Sequence, residues 1–505
     1  RRRPGFAPAG VGLLLAAALM APSAAILMAP SAAIGVRPAA SDEGARISIT
    51  TLNPAVLTLG AGITLGGRLT HSSSHVDLTV RITISSSPVT NRSSLDAVTT
   101  DSSTAADAVR SGRTLATISV PAGQQQWSAS IPSTDLGLGA SNRPGVYVIA
   151  AGAYSGGALV AANATVAPFT SRNPSFHPSR VVMLWPVTSV PMSDLNGGIN
   201  NDRLTAALSS HGTLQALLRA GSTSGVSWLV DPALITTLRT AASASTAGPG
   251  SAASAANRQA AGVWLRGLQS IANTQRFAAL PASVPDAAAL DATGLGDSFI
   301  AAQRRSRAQL HATLNPRYQV TQSVAWPCMR GTACISSSAL RRLGDSRGAH
   351  ASVVVLPDSA ASSSVRWFSG GGVQHLPGHT NIPLLYTDAA LDDAIAGKLS
   401  LSSAALRQRI LGELSLISFE RPGRSRTVVA TAPMGVESPQ AASGIRAAAA
   451  AMRLAAGAGL IEPVQISKLT GQGADGIIRD FISADRAPGD PKQAARMAAA
   501  ARRDA

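Results

Sequence analysis

The stretches RVVMLWPVTSV, Arg180–Val190, and TQSVAWPCMRG, Thr321–Gly331, follow the same pattern. Each is a short apolar run that is closed by Trp-Pro. Continuous apolar runs of this length are typical of parallel strands that are covered on both faces. Proline suits the end of such a strand because it cannot donate a ladder hydrogen bond. The two stretches therefore predict buried parallel strands that end in the same way.

Outward from these stretches, residues 180–470 alternate apolar runs with amphipathic helical patterns. Leu204, Leu208 and Leu214 illustrate the helical spacing, as do Leu406 and Ile410 later in the chain. The other apolar runs are VSWLVDP, RFAALPA, ASVVVLPDS, IPLLYTD and RTVVATAP. Strands that alternate with helices indicate a parallel sheet with helices outside it. Because no glycine-rich dinucleotide turn is present, the pattern favours a (β/α)-barrel of about seven βα units over a Rossmann fold.

Residues 45–169 have a different pattern, made of short strands. In VDLTVRITI, Val76–Ile84, every second residue is apolar, which places one face in a core and the other in water. Several more short strands separated by Gly, Ser, Asn and Pro predict an immunoglobulin-like sandwich. Residues 170–179 are predicted to be a linker. The predicted fold class is therefore multidomain, an all-β immunoglobulin-like sandwich followed by an α/β barrel-like domain.

The first 40 residues have the pattern of a targeting segment. Three arginines precede a long apolar stretch that contains the octapeptide LMAPSAAI twice in tandem. A basic start, an apolar middle and small residues at cleavage positions predict a signal peptide. The alternative is an uncleaved N-terminal anchor, because the stretch is long enough to span a bilayer. Either interpretation predicts an extracytoplasmic protein, secreted or membrane-anchored.

The positive charge does not by itself predict a nucleic-acid partner. The formal net charge is +16, and 40 of the 43 basic residues are Arg. These arginines are scattered, and no basic helix carries interleaved aromatic residues. A diffuse positive charge supports only non-specific attraction to anions. We therefore expect no specific nucleic-acid binding.

The two cysteines fit export. Cys328 and Cys334 enclose a five-residue segment, and a small disulfide loop is plausible in an oxidising compartment. The alternative is a pair of free thiols. Two isolated cysteines without a nearby histidine make a poor zinc site.

The strand ends carry the candidate binding residues. Trp185 and Trp326 end two of the predicted strands, and an Asp ends several others. In (β/α)-barrels the carboxyl ends of the strands form the functional face. Tryptophan rings and carboxylates around one mouth would suit a sugar. The alternative is that the tryptophans cap the core and the aspartates cap the following helices.

Several motifs resemble an uncharacterised family of exported actinobacterial cell-envelope proteins. They are VVMLWPVTSVPMSDLNGGINNDRL, VSWLVDPALI, VAWP and ERPGRSRTVVATAP, and the resemblance covers roughly residues 45–470. It implies a signal peptide, a β-sandwich, a degenerate (β/α)-barrel and commonly a C-terminal membrane helix, with the gene often beside an MviN-type lipid II flippase. Here the third strand ends LPASVPD, which keeps Asp286 but has Val284 where the family has an Asp. The tail 471–505 is basic and Ala-rich without a membrane helix, so we expect it to be truncated.

Two enzyme classes remain as alternatives. A glycosidase needs two carboxylates beside the scissile bond, and the candidates are Asp231, Asp286, Asp358 and Asp388. Glu413 and Glu420 stand in a later helical pattern. A metal-dependent deacetylase needs His and Asp ligands. His375 and His379 have a suitable spacing, but Pro377-Gly378 between them prevents a helix from aligning their rings.

The sequence predicts a protein that acts mainly by binding. The expected ligand is a cell-wall glycan or an envelope protein, held at the strand-end face without a cofactor. A carbohydrate-active hydrolase is the second hypothesis. Membrane association is expected through the N-terminus or a missing C-terminal helix, and the oligomeric state stays open.

Overall fold

The computed structural model describes most of the chain after residue 43. The described residues are 44–70, 77–170, 176–189, 192, 198–221, 223–243, 253–314, 320–328, 335–344, 351–362, 372–376, 379–469 and 480–481. From Asp42 onward the chain forms one compact unit. The predicted targeting segment 1–40 lies outside the described residues, as does the tail 471–505 apart from residues 480–481.

Two sheets form the first half of this unit. Strands β1, β3 and β6 make one sheet, and β2, β8, β7, β4 and β5 make the other in that order. Three helices lie in the connections. The strands are β1 (Arg46–Asn53), β2 (Leu57–Thr58), β3 (Ile63–Thr70), β4 (Leu78–Ile84), β5 (Arg113–Val120), β6 (Gln126–Ile131), β7 (Gly145–Ser155) and β8 (Ala158–Thr170). The helices are α1 (Arg92–Thr100), α2 (Ser102–Ser111) and α3 (Ser133–Leu136).

The apolar positions of both sheets share one core. Val80 and Ile82 of β4 alternate with more exposed residues and pack with Leu65 of β3 and Trp127 of β6. A two-residue period produces this arrangement because successive side chains of a strand point to opposite faces. The first half is therefore a β-sandwich.

The second half is built around a parallel sheet. The strands of this half are β9 (Ser179–Val187), β10 (Val226–Val230), β11 (Phe277–Ala279), β12 (Val320–Ala325), β13 (Val353–Leu356), β14 (Ala361–Ser362), β15 (Val373–Leu376), β16 (His379–Tyr386), β17 (Thr427–Thr431), β18 (Ile461–Pro463) and β19 (Asp480–Phe481). Strands β14 and β19 pair only with each other. Its helices are α4 (Asn201–Leu208), α5 (Thr213–Arg219), α6 (Pro232–Ser243), α7 (Ala255–Ala272), α8 (Ala287–Ala292), α9 (Gly296–Thr313), α10 (Ser337–Arg342), α11 (Ala389–Ile395), α12 (Ser403–Glu420) and α13 (Pro439–Gly457).

Parallel pairing runs β16-β13-β12-β11-β10-β9-β17 across the described strands. A parallel bridge between Thr387 and Val429 joins the two ends of this order, so the sheet is a nearly closed barrel. The prediction of a multidomain protein with sheet-rich parts is confirmed. The prediction of seven complete βα units is not confirmed. Between β13 and β16 the described residues form a 3₁₀ turn, Asp358–Ala360, and short strands, without a helix. Strand β15 of that connection pairs antiparallel with β16.

Strand residues alternate between two apolar cores. Val182 and Leu184 of β9 face the barrel interior, where they pack with Leu229 and Val355. The intervening residues of β9 face the outer helices. The interior is filled by apolar side chains, as in other small barrels. Any ligand site must therefore lie at an end of the barrel or outside it.

Helix α12 joins the two halves. Its Leu406, Ile410 and Leu414 face the barrel core, while Leu416 packs with Leu95 and other residues of the sandwich. Because both sides of this helix are covered, even polar residues such as Gln408 are buried. We call the surface between α12 and the sandwich the seam. The predicted linker ends in packed structure, since Phe176 is in edge-to-face contact with Phe419.

Candidate functional site

A cavity opens at the carboxyl ends of β12, β13, β16 and β17, and we call it the mouth pocket. Its volume is about 470 Å³, within the range of small-molecule sites. The lining combines apolar groups, hydroxyls and carboxyls. The residues are Trp326, Cys328, Pro357, Asp358, Ser359, Thr387, Ala389, Asp392, Asp393, Ala396, Lys398, Thr431, Ala432, Pro433, Met434 and Val436.

Asp392 is the most constrained carboxyl of the mouth pocket. Thr431 donates its backbone N–H to the Asp392 Oδ1 at 2.7 Å. Burial raises the pKa of this carboxyl well above its usual range, and hydrogen bonds from Thr387 and Thr431 oppose that rise. The neighbouring Asp388 and Asp393 charges add to the rise. The site therefore favours the neutral acid, which can donate a hydrogen bond as well as accept one.

The rim of the mouth pocket is more polar. Asp393 forms an exposed ion pair with Lys398. Asp358 begins the 3₁₀ turn after β13 and is half-buried. Val436 is apolar and exposed on the same rim. The described lining contains three Asp and one Lys, so the pocket is acidic although the whole chain carries a formal charge of +16.

Glu437 lies next to this rim, and the pKa of its carboxyl is also raised. The Thr213 hydroxyl donates to its Oε2 at 2.6 Å. Burial raises the pKa of Glu437 to about 7, against the effect of the Thr213 hydrogen bonds. Neither Glu437 nor Asp392 is among the site residues predicted from the sequence. For Asp392 a signal existed, because it follows Asp388 by one helical turn.

Asp388 does not face the mouth pocket, which corrects the prediction from the sequence. Its side chain caps α11 by accepting from the Leu391 backbone N–H at 3.0 Å. It also accepts from Arg92 of the sandwich, at 2.6 Å from Nη1 and 2.7 Å from Nη2. Asp388 therefore belongs to the seam.

The seam holds a buried network of charges around Glu413. Glu413 is fully buried and accepts from Arg92 and from Arg409, whose Nη2 lies 2.7 Å away. Arg409 also reaches Asp96 of α1 at 2.7 Å. Burial alone would lower the pKa of Arg92, but the Asp388 and Glu413 charges outweigh burial and raise it. The network thus holds the sandwich against the barrel.

Asp231 and Asp286 serve as helix caps or turn supports. The Asp231 Oδ1 accepts from the backbone N–H groups of Ala233 at 2.8 Å and Ser283 at 3.0 Å. Burial raises the pKa of Asp231 to about 6, which these hydrogen bonds oppose. Asp286 caps α8 by accepting from the Ala289 N–H at 3.0 Å. Neither lines the mouth pocket, and the capping alternative describes both.

The two tryptophans lie on opposite sides of the barrel wall. Trp185 is fully buried among the outer helices, edge-to-face with Trp228 at 6.1 Å between ring centroids. The sequence predicted that Trp185 lies at the barrel mouth, and the structure corrects this prediction because the buried ring offers no surface to a ligand. Trp326 packs in the barrel interior, is 4% exposed and reaches the mouth pocket. So small an exposed area argues against stacking of the indole on a sugar face.

The remaining candidates concern metals and sulfur. His375 lies on β15 opposite Pro383, and His379 begins β16; the side chain of His379 lies outside the described residues. In the described part of the chain, no three His, Cys, Asp or Glu side chains are grouped as metal ligands. Cys328 is disulfide-bonded, and Cys334, the other cysteine of the sequence, lies outside the described residues. No helix of the described residues combines the length and apolarity needed to cross a membrane.

Comparison with known proteins gives one strong match. A model described as a family of unknown function, DUF6049, matches residues 6–503. No curated protein matches the chain.

Solved structures give weak matches. The CARDB domain of a Pyrococcus furiosus protein, in complex with di-metal ions, is 10% identical, with a TM-score of 0.15 over 25% of this chain and 86% of that one. A Paenibacillus sp. cycloisomaltooligosaccharide glucanotransferase, complexed with cycloisomaltoheptaose, is 9% identical, with a TM-score of 0.21 over 77% of this chain and 53% of that one. The sporulation control protein Spo0M of Bacillus subtilis is 8% identical, with a TM-score of 0.15 over 26% and 51%. Scores this low do not indicate a shared overall fold.

Proposed function

Because the chain belongs to the DUF6049 family, whose activity is unknown, we propose its function from the geometry of the mouth pocket. We propose that this protein binds a neutral, hydroxyl-rich ligand there, a cell-wall glycan, and acts in the cell envelope by binding rather than by turnover. The observation that carries the proposal is the acidic pocket on a strongly basic protein.

The charge contrast selects the ligand class. Anionic ligands are attracted to the protein as a whole but repelled by the Asp358 and Asp393 carboxylates at the pocket. A neutral sugar meets no such repulsion. Its hydroxyls can pair with the Asp358 and Asp393 carboxylates, with the Asp392 acid and with the Lys398 ammonium. Hydroxyl groups that pair in this way satisfy polar groups on both sides of the contact.

The apolar lining complements those polar groups. Met434, Val436 and Trp326 lie in the same cavity. A pyranose has apolar C–H faces between its hydroxyls, and such faces suit a pocket that mixes apolar side chains with a few placed polar groups.

The setting of the proposal comes from the N-terminal segment and the family resemblance. A signal peptide or anchor in residues 1–40 would export the chain. Membership in an actinobacterial envelope family, encoded beside an MviN-type lipid II flippase, would place it near peptidoglycan. On this proposal the immunoglobulin-like sandwich positions the barrel mouth toward the wall or an envelope protein.

A hydrolase is the second candidate because of Asp392. A carboxyl with a raised pKa beside a second carboxyl is the arrangement of a general acid and its partner. Asp392 and Asp358 line the same cavity, and burial favours the neutral form of Asp392. This candidate uses Asp392, which the sequence analysis did not single out, in place of Asp231, Asp286 and Asp388.

Two substitutions of Asp392 separate binding from catalysis. Soluble peptidoglycan fragments are titrated into the protein by calorimetry, and the products are examined by mass spectrometry. Asp392→Asn keeps a neutral donor and acceptor, so binding should be retained, whereas Asp392→Ala should weaken it about tenfold. Asp107→Asn, an exposed sandwich carboxyl that pairs with Arg110, is the matched control for Asp358→Asn.

The outcomes are distinct. Binding that is retained in Asp392→Asn, lost in Asp392→Ala and weakened by Asp358→Asn but not by Asp107→Asn supports the glycan-binding proposal. Cleavage products that disappear in Asp392→Asn would favour the hydrolase, since an amide cannot transfer the proton. Equal affinity in all mouth variants would reject the pocket as the binding site.

A further inference from the structure

A second cavity lies at the seam and shares no lining residue with the mouth pocket, and we call it the arginine cleft. Its volume is about 530 Å³. It is formed between the edge strand β1 of the sandwich and the helices α12 and α13 of the barrel. The polar residues that line it are Thr50, Thr51, Asn53, Ser403, Arg407, Ser443 and Arg446.

Two guanidinium groups without counter-ions distinguish this cleft. Within the described part of the chain, neither Arg407 nor Arg446 has a hydrogen-bond or ion-pair partner, and the Arg407 Nε is buried. Both side chains are only half-exposed. None of the described lining residues is acidic. A buried donor without a partner is unfavourable because it has lost its water without gaining an acceptor, so an anion that accepts from it stabilises the site.

The neighbouring groups complement an oxyanion. The Ser403 and Ser443 hydroxyls lie 3.0 Å apart and connect α12 with α13 at the cleft. Ser403 and Ala404 form the first turn of the 18-residue helix α12. The helix N-terminus therefore adds its partial positive charge to that of the two arginines. The contrast with the seam network is direct, because Arg409, two residues after Arg407, and Arg92 are paired with carboxylates.

We propose that the arginine cleft binds a phosphate group, carried by a soluble phosphate compound or by a lipid headgroup. A phosphate offers several acceptor oxygens to the planar guanidinium donors, which bind it bidentately. One hydroxyl of the Ser403–Ser443 pair keeps a proton that it can donate to a remaining oxygen. This site is independent of the mouth pocket, whose carboxyls disfavour phosphate, so the two proposals can fail separately.

The test uses the full chain with two probes. Inorganic phosphate is titrated by calorimetry against matched sodium chloride, and phosphatidylcholine vesicles with and without phosphatidylglycerol are sedimented with the protein. Arg407→Gln and Arg446→Gln should each weaken phosphate binding about tenfold. Arg424→Gln removes the same charge from an exposed position outside the cleft and should change it less than about twofold.

Each possible result supports or overturns the arginine cleft as a phosphate site. Phosphate binding that needs both cleft arginines supports the site with a soluble ligand. Vesicle binding that needs phosphatidylglycerol and both arginines supports it with a lipid headgroup. Equal losses in all three variants, or no binding of either probe, would overturn the proposal.

A measurement on the unmodified protein keeps the proposal testable should a cleft variant fail to fold. Phenylglyoxal labels accessible arginines, and mass spectrometry locates the labels. Phosphate should protect Arg407 and Arg446 while Arg424 stays labelled. Unchanged labelling of the cleft arginines at saturating phosphate would refute the site.

Discussion

Helix α11 and its cap contribute carboxyl groups to two regions, the seam and the mouth pocket, which use those groups differently. Its N-terminal cap, Asp388, faces the seam and is paired with Arg92. Asp392, one turn later, faces the mouth pocket, where Thr387 and Thr431 hold it and no cation of the described residues bonds to it. The seam therefore uses carboxylates to hold two halves of the protein together, and the mouth pocket keeps a carboxyl neutral. The difference shows that the tertiary partner of an aspartate decides its role, not its position after a strand.

The largest expected effect separates the two tryptophans. Trp185→Ala should lower the free energy of unfolding by about 3–5 kcal/mol, because it leaves a cavity among the outer helices. Chemical denaturation measures this loss, and calorimetry on the folded variant should give an unchanged glycan affinity. A loss of affinity without a loss of stability would move Trp185 to the binding site and break the assignment.

A somewhat smaller loss is expected from the seam network. Glu413→Gln removes the charge shared by Arg92 and Arg409 while keeping the shape of the side chain. Arg92 keeps Asp388 and Arg409 keeps Asp96, but each loses its fully buried carboxylate, which should lower the free energy of unfolding by about 3 kcal/mol. Denaturation with urea measures it. A change below about 1 kcal/mol would show that the seam is solvated and that its ion pairs behave as surface pairs.

The pH dependence of stability tests the role of Asp231, a buried carboxyl that accepts hydrogen bonds from backbone amides. Its folded-state pKa of about 6 lies above the 3.8 of the unfolded chain, so the folded protein binds the proton more tightly. Stability from this group is full below pH 3.8 and is lost as the pH rises to about 6. The loss is about 3 kcal/mol, at 1.36 kcal/mol for each unit. Asp231→Asn should remove this slope, so urea midpoints of the two proteins are compared across that window. A constant difference between them would contradict the assignment.

The smallest effect is expected at the rim of the mouth pocket. Lys398→Met removes an exposed partner of Asp393. Exposed pairs contribute about 0–1 kcal/mol, so the melting temperature should barely change. A large loss of stability would mean that the rim is structural, like the seam, and would remove the contrast between the two regions.

Much of the fold could be predicted from the sequence because apolar runs specify buried strands. The seven apolar runs from VVMLWPV to RTVVATAP all overlap strands of the parallel order. The exception is the connection between β13 and β16, whose described residues form a 3₁₀ turn and short strands and no helix.

The sequence could not predict which face a residue of such a strand occupies. In a continuous apolar run every position is buried. The sequence therefore lacks the polar–apolar alternation that would distinguish residues facing the barrel interior from residues facing the outer helices. Trp185 has the parity of Val181 and Met183 and faces the helices. Trp326 has the parity of Val324 and faces the barrel interior. The same Trp-Pro dipeptide therefore ends two strands with its indoles on opposite sides.

The candidate site was only partly predictable for a related reason. Asp358 was identified and lines the mouth pocket, because the end of a strand is a local feature. The partner of Asp388 is Arg92, 296 residues away, and no local pattern connects them. Asp392 depends on the packing of α11 against β17, which spacing alone does not reveal.

Hydrogen–deuterium exchange with and without soluble peptidoglycan fragments tests the central claim most directly, because it reads both regions in one experiment. We expect slower exchange for the backbone amides of residues 387–398 and 431–437, which surround the mouth pocket, and unchanged exchange for residues 408–420 of α12 at the seam. Protection confined to α12 and the sandwich, or bound fragments that leave the mouth segments unchanged, would contradict a glycan site at the barrel mouth.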